Sequence, residues 1–594
     1  MFGERFDAHP LRDSLTAAPV TLFPPMDDRA AWASVADADR ADLLALADMY
    51  RDVPYAPCTA TQFLSFTRDG SRTAHEQPYF QRRRKLIAAV MDCCVTGRTE
   101  ALDTVIDGLW CICEETSWVI SAHSEGGPLP DPDSPVIDLF AAQTAMILSL
   151  TCQLMARQLA GVTPMLRARV RREVALRVLS PFMARNDFWW MGFTRRDLCN
   201  WTPWIVSNVI AAACVWSERA EELAALTDRA LRMVDRWLDA VPEDGGCDEG
   251  VGYWNMAGGA LLDCLTLLET MTGGRVTFWH VPKIRAMLSF PRRMALPGGW
   301  FVNFADCDAR PDLSGERLQT AGEKLGDGAL RAMGMALRGT PSGQIADVPH
   351  FTRMLMRLFH PAEGAPDLAG DRRDVWLPDL QVRVREDGGL ILCCKGGHNG
   401  ESHNHNDVGS FILCADGGPA IVDAGNMTYT ARTFSAERYT LWNTRSAYHN
   451  VPLIGGHEQQ PGPQHAARQV AATPDGLTLD MAPAYGPEAG VLRARRDLSL
   501  TGGLFTLTDE IALREALPVT WVFLLREKPL LTEGRAAFSG LTLRFDGGLS
   551  PRIEEIPVAD PRMAKHYPGS LWRLTLTGPA ATAHRQAFTA AQRA

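Results

Sequence analysis

Two histidines with a spacing that suits a metal site occur in the polar stretch 401–407, where a single asparagine separates His403 from His405. Side chains at alternate positions of an extended chain point to the same side, so an extended conformation would present both imidazoles on one face. Asp423 and His449 follow in later segments and can complete a set of two nitrogens and one oxygen. Such a set suits zinc and also manganese. We therefore predict that His405, Asp423 and His449 bind a divalent metal, with zinc favoured.

A hairpin is expected to bring Asp423 back beside the histidines. The segments 411–415 and 419–424 have the composition of strands, and the residues Asp416-Gly417-Gly418 between them are typical of a tight turn. The alternative is that this stretch, rich in histidine and asparagine, is a solvated turn that binds no metal.

Two further stretches, in the first half of the chain, carry polar and aromatic side chains just before apolar helical segments. Asn200 and Trp201 stand ahead of Pro203, a residue that suits the first turn of a helix. Tyr253 lies in the glycine-containing loop 249–254. Each has a structural alternative, since Asn200 could cap its helix and Tyr253 could pack as a core aromatic residue.

Taken together, these motifs resemble those of the heparinase II/III-like polysaccharide lyases, a family that includes heparin, heparan and oligo-alginate lyases. The resemblance covers both halves of the chain, and its motifs occur in the family's order. It implies an incomplete α/α toroid of helical hairpins followed by an antiparallel β-sandwich, with the active site in the cleft between them. The motifs that carry the resemblance are Cys199-Asn200-Trp201, residues 249–254, residues 403–407 with the hairpin to Asp423, and residues 445–450.

The resemblance also implies roles for individual residues. Asn200 would neutralise the substrate carboxylate, Tyr253 would be the general acid, and His403 would be the partner base. Some relatives carry a histidine at or beside the position of Asn200, where this chain has Trp201, so the motifs leave the substrate class open. His405, Asp423 and His449 would bind a metal ion. The resemblance implies that the role of this ion is mainly structural.

The chemistry of β-elimination fits these roles. Removing the C5 proton of a uronic acid builds up charge on the adjacent carboxylate, and an amide such as that of Asn200 can stabilise this charge by roughly 3 to 4 kcal/mol. The phenol of Tyr253 can protonate the departing O4, but a tyrosinate base would need nearby positive charge, because an unperturbed tyrosine has a pKa of about 10. Trp201, Tyr429 and Arg445 are candidate substrate-binding residues, with ordinary packing or salt bridges as the alternative.

Length and composition place the chain among ordinary globular proteins. With 594 residues, of which 46% are hydrophobic and 22% charged, it can form at least two domains. The net charge of -10 argues against nucleic-acid binding, and the 14 cysteines lack any CxxC pair, so we expect them to be reduced. The N-terminus has no basic region followed by an apolar run, and no stretch is long and uncharged enough to span a bilayer. A cytoplasmic location is the default expectation, and no organic cofactor is predicted.

The spacing of apolar residues changes along the chain and predicts its domains. A three-to-four spacing, typical of helices, is followed by the period-two alternation of antiparallel strands. The residues 360–366, rich in proline and glycine, suit a linker. We predict an N-terminal extension at residues 1–30, the α/α toroid domain at 31–370 and the β-sandwich domain at 371–594.

The sequence therefore predicts a lyase that cleaves uronate-containing glycans by β-elimination, with glycosaminoglycans such as hyaluronan, chondroitin or heparan favoured over oligo-alginate. Three alternatives stay open. A glycoside hydrolase on an α/α toroid would need two carboxylates about 5 to 10 Å apart, for which Asp306 with Asp308, or Asp248 with Glu249, are the candidates. A metal-dependent hydrolase would use the His/Asp/His site directly. A non-catalytic carbohydrate-binding protein would need neither Tyr253 nor a base.

Overall fold

The computed structural model of the chain describes residues 1–124, 127–360, 374–415 and 417–593. The chain forms two compact units, and each unit consists of more than one segment. We call them the helical unit and the β unit. The helical unit comprises Met1–Val241, Asn255–Val281 and Ser314–Asp367, and the β unit comprises Pro242–Trp254, Pro282–Leu313 and Leu368–Ala594.

The helical unit consists of α-helices joined by short connections, as the spacing of its apolar residues predicts. Asp138 and Thr59 show why helices begin where they do, because each side chain accepts a backbone N–H of the first turn that follows it. In the described residues the α-helices are α1 Phe2–Ala8, α2 Arg29–Ala33, α3 Asp37–Arg51, α4 Ala60–Asp69, α5 Thr73–Thr96, α6 Leu102–Cys113, α7 Leu139–Leu154, α8 Ala156–Val162, α9 Pro164–Val174, α10 Ser180–Ala184, α11 Trp201–Trp216, α12 Ala220–Ala240, α13 Gly258–Thr272, α14 Pro282–Met294, α15 Gly315–Leu325, α16 Gly328–Ala336 and α17 Phe351–Phe359.

Two helices of the helical unit, α7 and α11, are buried on all sides. This explains why their sequences are apolar around the whole helix, whereas α12 carries its buried residues on one face. Among the described residues, no single helix has the length and apolar character that crossing a membrane requires, although the bent pair α7 and α8 meets both criteria when taken together.

The β unit contains two large sheets whose strand pairs are all antiparallel. The strands of the described residues are β1 Asp374–Leu377, β2 Val382–Asp387, β3 Leu390–Lys395, β4 His398–Asn399, β5 Phe411–Ala415, β6 Gly418–Ile421, β7 Pro452–Ile454, β8 Gly462–Ala466, β9 Arg468–Thr473, β10 Gly476–Asp480, β11 Val491–Thr501, β12 Leu504–Leu517, β13 Val519–Leu525, β14 Leu530–Thr532, β15 Arg535–Phe538, β16 Leu541–Arg544, β17 Ser550–Pro557, β18 Ser570–Thr577 and β19 Ala581–Gln592. The nine-stranded sheet has the order β1-β2-β3-β5-β6-β13-β18-β17, with β7 also paired to β13, and the eight-stranded sheet has the order β14-β15-β16-β19-β12-β11-β10-β9.

Side chains from both large sheets share one apolar core. Along β12 buried and less buried residues alternate, so one face of the strand points into this core. Phe411 of the first sheet contacts Phe505 of the second with ring centroids 5.2 Å apart, and Phe523 contacts Phe588 at 5.1 Å. The predicted alternation thus belongs to two sheets packed face to face.

The loop that carries the paired histidines differs from its prediction. The hairpin of β5 and β6 is present, although Asp416 of its predicted turn lies outside the described residues. Residues 401–407 do not form the extended segment that would place both imidazoles on one face, because Ser402 and His403 lie in a turn between β4 and β5 and His403 has a left-handed backbone with φ of 53°. Apart from His360, the predicted linker and the boundary at 370 also lie outside the described residues, so the domain boundaries stay predictions.

Candidate active site and metal centre

The candidate site of the β unit is built from loops that are far apart in sequence. They are residues 248–253, 303–308, 401–407 and the stretch from Asp423 to His449. The 401–407 loop lies between β4 and β5, and the last stretch lies between β6 and β7.

Asp306 joins the two histidines of the 401–407 loop. Its Oδ2 atom lies 3.0 Å from Nδ1 of His403, and its Oδ1 atom lies 3.1 Å from Nε2 of His405. Arg438 pairs with the same Oδ1 atom at 2.9 Å. Burial raises the pKa of Asp306, but the hydrogen bonds from His403 and His405 outweigh it, so its pKa lies well below the usual range for an aspartate. An ionised, buried carboxylate therefore orients both imidazoles.

A buried lysine closes the same loop. Nζ of Lys395 lies 2.9 Å from Oδ1 of Asp407 and 3.3 Å from Oε2 of Glu401, so it pairs with a carboxylate on each side of the histidines. Burial lowers the pKa of Lys395, but these two carboxylates outweigh it and raise the pKa overall. The backbone N–H of Ser402 donates to Oδ2 of Asp248 at 3.0 Å. These contacts are satisfied in a turn, which is why the loop is not a strand.

The backbone on both sides of the contact between Asp306 and His403 is left-handed. Ala305 has φ of 63° and His403 has φ of 53°, values that residues with a Cβ rarely adopt. The carbonyl of His403 accepts hydrogen bonds from the backbone N–H of Asp306 at 3.2 Å and from Nη2 of Arg438 at 2.9 Å. These bonds hold the unusual conformation, which is characteristic of functional sites.

Tyr253 and Tyr429 form a hydroxyl pair beside His403. Their hydroxyl groups hydrogen bond to each other, and the Tyr429 hydroxyl lies 3.3 Å from Nδ1 of His403. The rings of Tyr253 and His403 are in contact, with centroids 5.1 Å apart. Burial raises the pKa of Tyr253, and Tyr429 raises it further, so the phenol keeps its proton at neutral pH.

Glu249 lies against the other nitrogen of His403. Its Oε1 atom is 3.6 Å from Nε2 of the imidazole. Burial raises the pKa of Glu249 to about 7, although His403 lowers it. A carboxyl group that titrates near neutral pH therefore lies next to the candidate base.

The three predicted metal ligands come together. His405, Asp423 and His449 are all buried, and one ligand atom from each can be chosen so that the three atoms lie within 4.8 Å of one another. Nδ1 of His449 lies 3.0 Å from Oδ2 of Asp423. Burial lowers the pKa of His449, but Asp423 outweighs it and raises the pKa overall.

The hydrogen bonds around these residues fit a metal ion. Nδ1 of His405 is buried and has no hydrogen-bond partner among the described residues, whereas its Nε2 faces Asp306. Nε2 of His449 lies 2.9 Å from the carbonyl of Asn443, which leaves Nδ1 toward Asp423. In metal sites the second nitrogen of a histidine ligand is typically bonded to a carboxylate or a carbonyl, as here. The donor set therefore offers Nδ1 of His405, Nδ1 of His449 and Oδ2 of Asp423.

Asn200 and Trp201 lie in the helical unit, where α11 begins. Asn200 occupies the N-cap position, but its side chain forms no capping hydrogen bond, which disfavours the capping alternative. Trp201 packs against Trp189 and His123, with ring centroids 5.0 and 4.6 Å away.

The two other predicted substrate-binding residues differ in their surroundings. Tyr429 contacts Tyr253 and His403, as described above. Arg445 pairs with Glu458, whose Oε1 atom lies 3.1 Å from its Nε atom. Arg445 therefore forms an ordinary salt bridge, which was the alternative to a role in substrate binding.

Sequence reasoning did not assign Asp306 to the site that it orients. A signal exists, because Asn303 and Asp306 are the polar residues of an otherwise apolar stretch, 300–307. Both are buried, and Nδ2 of Asn303 donates to the carbonyl of Asp423 at 3.1 Å. Buried polar residues inside an apolar stretch are therefore the signal in the sequence that could have assigned Asp306 to this site.

Known proteins resemble this chain in two ways: a family model matches part of its second half, and several solved structures share its fold. Residues 372–555 match the family model described as heparinase II/III-like, C-terminal. No sequence match is found among curated proteins.

Several solved structures share the fold. Heparinase III is similar with a TM-score of 0.62 and 13% identity, over 93% of this chain and 89% of that chain. A mutant heparan sulfate lyase from Pedobacter heparinus has a TM-score of 0.60 and 13% identity, over 88% of this chain and 78% of that chain. The chondroitin AC lyase of Streptomyces coelicolor A3, in complex with chondroitin sulphate, has a TM-score of 0.54 and 13% identity, over 94% of this chain and 80% of that chain.

These findings confirm the predicted fold class, an incomplete α/α toroid of helical hairpins followed by an antiparallel β-sandwich. They also confirm the likeness that the sequence motifs indicated. The chain resembles the heparinase II/III-like polysaccharide lyases in fold, and its residues 372–555 match the model of that family's C-terminal region.

Proposed function

We propose that this protein is a polysaccharide lyase that cleaves uronate-containing glycans by β-elimination and leaves a 4,5-unsaturated uronate end. The observation that carries the proposal is the hydroxyl pair of Tyr253 and Tyr429 beside Nδ1 of His403. It brings a candidate acid and a candidate base together within one compact unit. The family model that matches residues 372–555 supports the same reaction class.

Tyr253 is the general acid in this proposal. A general acid must hold its proton until the leaving group needs it, and the raised pKa of Tyr253 meets this requirement. The phenol gives its proton to the glycosidic O4 as the C4–O4 bond breaks. When the C5 hydrogen and O4 lie on the same face of the sugar, as in glucuronate, Tyr253 can do both steps: as the tyrosinate it takes the C5 proton, and it then gives that proton to O4 while the C5–H electrons form the C4–C5 double bond.

His403 is the base for uronates whose C5 hydrogen lies on the opposite face, such as iduronate. The contact with Asp306 favours the imidazole tautomer with its proton on Nδ1, so that Nε2 carries the lone pair. Asp306 also stabilises the imidazolium that forms when Nε2 accepts a proton. The C5–H electrons then become the C4–C5 double bond.

The role of Asn200 as the donor to the substrate carboxylate rests on the family resemblance. Its side chain makes no cap for α11, which is compatible with a role in binding. Trp201, Tyr429 and Arg445 are proposed substrate contacts on the same basis.

Glycosaminoglycans are the substrate class that we favour over oligo-alginate. Two of the structural neighbours are named for heparan sulfate and chondroitin, and one of them was solved with chondroitin sulphate. An anionic polymer also suits an amide that neutralises a carboxylate.

We further propose that His405, Asp423 and His449 hold zinc, with manganese as the alternative, in a mainly structural role. When bound, the ion would neutralise Asp423 and fix the loop that presents His403. Each of the three residues is at most 1% exposed, and a site so enclosed favours a structural ion over one that binds substrate.

The hydrolase alternative that uses Asp306 and Asp308 has weaker support. Asp306 is enclosed by two imidazoles and Arg438, and Asp308 is held by Arg562. Neither carboxylate is presented as the acid or base that glycoside hydrolysis requires.

One assay tests the proposal. The protein is incubated with hyaluronan, chondroitin, heparan sulfate and alginate oligosaccharides while the ultraviolet absorbance of a new C4–C5 double bond is followed. We expect absorbance to rise with at least one substrate and to stay flat for Tyr253→Phe. New reducing ends without absorbance would instead establish a hydrolase.

A further inference from the structure

Arg562 lies against the tyrosine pair and outside the residues that match the family model. The carbon at the centre of its guanidinium is 5.4 Å from the ring centroid of Tyr429. Its Nε and Nη2 atoms bond both oxygens of Asp308, at 2.8 and 2.9 Å. This bidentate contact fixes the plane of the guanidinium and leaves Nη1 away from Asp308.

A single aspartate ties the turn of Arg562 to the segment of Tyr429. Oδ1 of Asp560 accepts the backbone N–H groups of Arg562 and Met563, both at 3.0 Å. Oδ2 of Asp560 accepts the backbone N–H of Thr428 at 3.0 Å. Because Thr428 immediately precedes Tyr429, the arginine and the tyrosine are held in a fixed relation.

The charged groups that face the tyrosine pair are of both signs. Glu249 and Asp306 raise the pKa of Tyr253, and His403 lies beside both rings. Burial raises the pKa of Tyr429 and Asp306 raises it further, whereas Tyr253 and Arg562 lower it. Arg438 is bonded to Asp306 at this site, whereas the guanidinium of Arg562 lies against the ring of Tyr429.

We propose that Arg562 is a positioning residue of the lyase reaction, and that its fixed guanidinium stabilises the negative charge left on the hydroxyl pair when Tyr253 gives its proton to O4. In this step the C5 proton goes to the base, its electron pair forms the C4–C5 double bond, the C4–O4 bond breaks, and O4 takes the phenolic proton. The charge that remains is shared by the hydrogen-bonded oxygens of Tyr253 and Tyr429. The inference rests on the proposed function and adds the cation that such a tyrosinate requires.

The first test measures ionisation without substrate, so it is independent of the lyase proposal. Difluorotyrosine is placed at position 429, and its fluorine resonance is followed against pH in the wild-type background and in Arg562→Gln. We expect the acid dissociation constant to fall about threefold or more in the variant, and to recover in Arg562→Lys. Arg562→Met replaces the glutamine variant if that one does not fold. Equal titration curves with and without the arginine would overturn the proposal.

The second test measures turnover once a substrate is known. Arg562→Gln is expected to lower kcat about tenfold or more with a smaller change in KM, and Arg562→Lys to restore part of it. Arg552→Gln, at an exposed arginine of β17, is the matched control and should leave both constants unchanged. If the titration of residue 429 shifts in the variant but the protein has no lyase activity, the proposed function is refuted, whereas the electrostatic effect of Arg562 on the tyrosine pair is retained. A change in KM alone would show that Arg562 only binds substrate.

Discussion

The carboxylate of Asp306 lies 3.0 Å from Nδ1 of His403. Since the other oxygen of the same carboxylate faces the metal ligand His405, one side chain orients both the candidate base and the metal centre. We expect Asp306→Asn to lower turnover about a hundredfold or more, because a general base contributes this much. Metal affinity should fall about tenfold or more. Steady-state kinetics and metal analysis measure the two effects, with Asp546→Asn on the surface as the control. Unchanged turnover and metal content would show that Asp306 does not orient the histidines.

The metal centre predicts that His405→Ala, Asp423→Ala and His449→Ala each lower metal content and Tm. A site that is absent from the unfolded chain contributes its binding free energy to folding. Chelation of the wild-type protein should lower Tm in the same way, and added zinc should restore it. His457→Ala, outside the ligand set, is the control. Stoichiometric metal in all three variants would refute the ligand assignment.

The proposed division of work between Tyr253 and His403 depends on the stereochemistry of the substrate. Tyr253→Phe should abolish activity on every uronate, because O4 always needs a proton. His403→Ala should reduce activity most on iduronate- or guluronate-type substrates, whose C5 hydrogen lies on the face opposite O4. The difference is measured by comparing the activity of each variant on pairs of oligosaccharides that differ only in the configuration at C5. Full activity of Tyr253→Phe on any of them would require another acid.

The closure of the 401–407 loop by Lys395 predicts a large effect on stability. Lys395→Met leaves the buried carboxylate of Asp407 without its partner, which typically costs about 3 to 5 kcal/mol. Adding Asp407→Asn should restore part of the loss, because the charge left unpaired is then removed. Urea unfolding measures both, and Lys565→Met at an exposed site is the control. If Lys395→Met is as stable as the wild type, the ion pairs of Lys395 do not stabilise the fold.

Glu249 makes stability depend on pH. Burial raises its pKa from 4.5 to about 7 in the folded state. The folded state then binds the proton more tightly, so the stabilising contribution is complete below pH 4.5 and is lost as the pH rises through 7. Glu249→Gln should therefore be more stable than the wild type at pH 8, by up to about 3 kcal/mol, and the gain should shrink toward pH 5. A gain that does not vary with pH would contradict the raised pKa.

Much of this arrangement follows from local sequence, and the remainder does not. The alternation along β12 and the hairpin of β5 and β6 were predictable, because both depend on neighbouring residues. The ligand set of His405, Asp423 and His449 was also predictable, since donors of the right chemistry flank that hairpin.

The role of Asp306 was not predictable in this way. Its partners His403 and His405 are 97 and 99 residues away in sequence, and no periodic pattern reports a contact at that separation. The local expectation of an extended 401–407 segment was wrong for a related reason. An extended chain is the local expectation for His403 and His405, but the ion pairs of Lys395 are satisfied only in the turn.

The order of strands in the eight-stranded sheet has a consequence for the synthesis of the chain. β19 lies between β16 and β12 and pairs with both, so the sheet is two unconnected pieces until residue 592 has left the ribosome. The segments Pro242–Trp254 and Pro282–Leu313, which supply Tyr253 and Asp306, are made long before that point. Contacts between residues that are so far apart in sequence form slowly. The β unit therefore completes its folding only after its whole length has been translated.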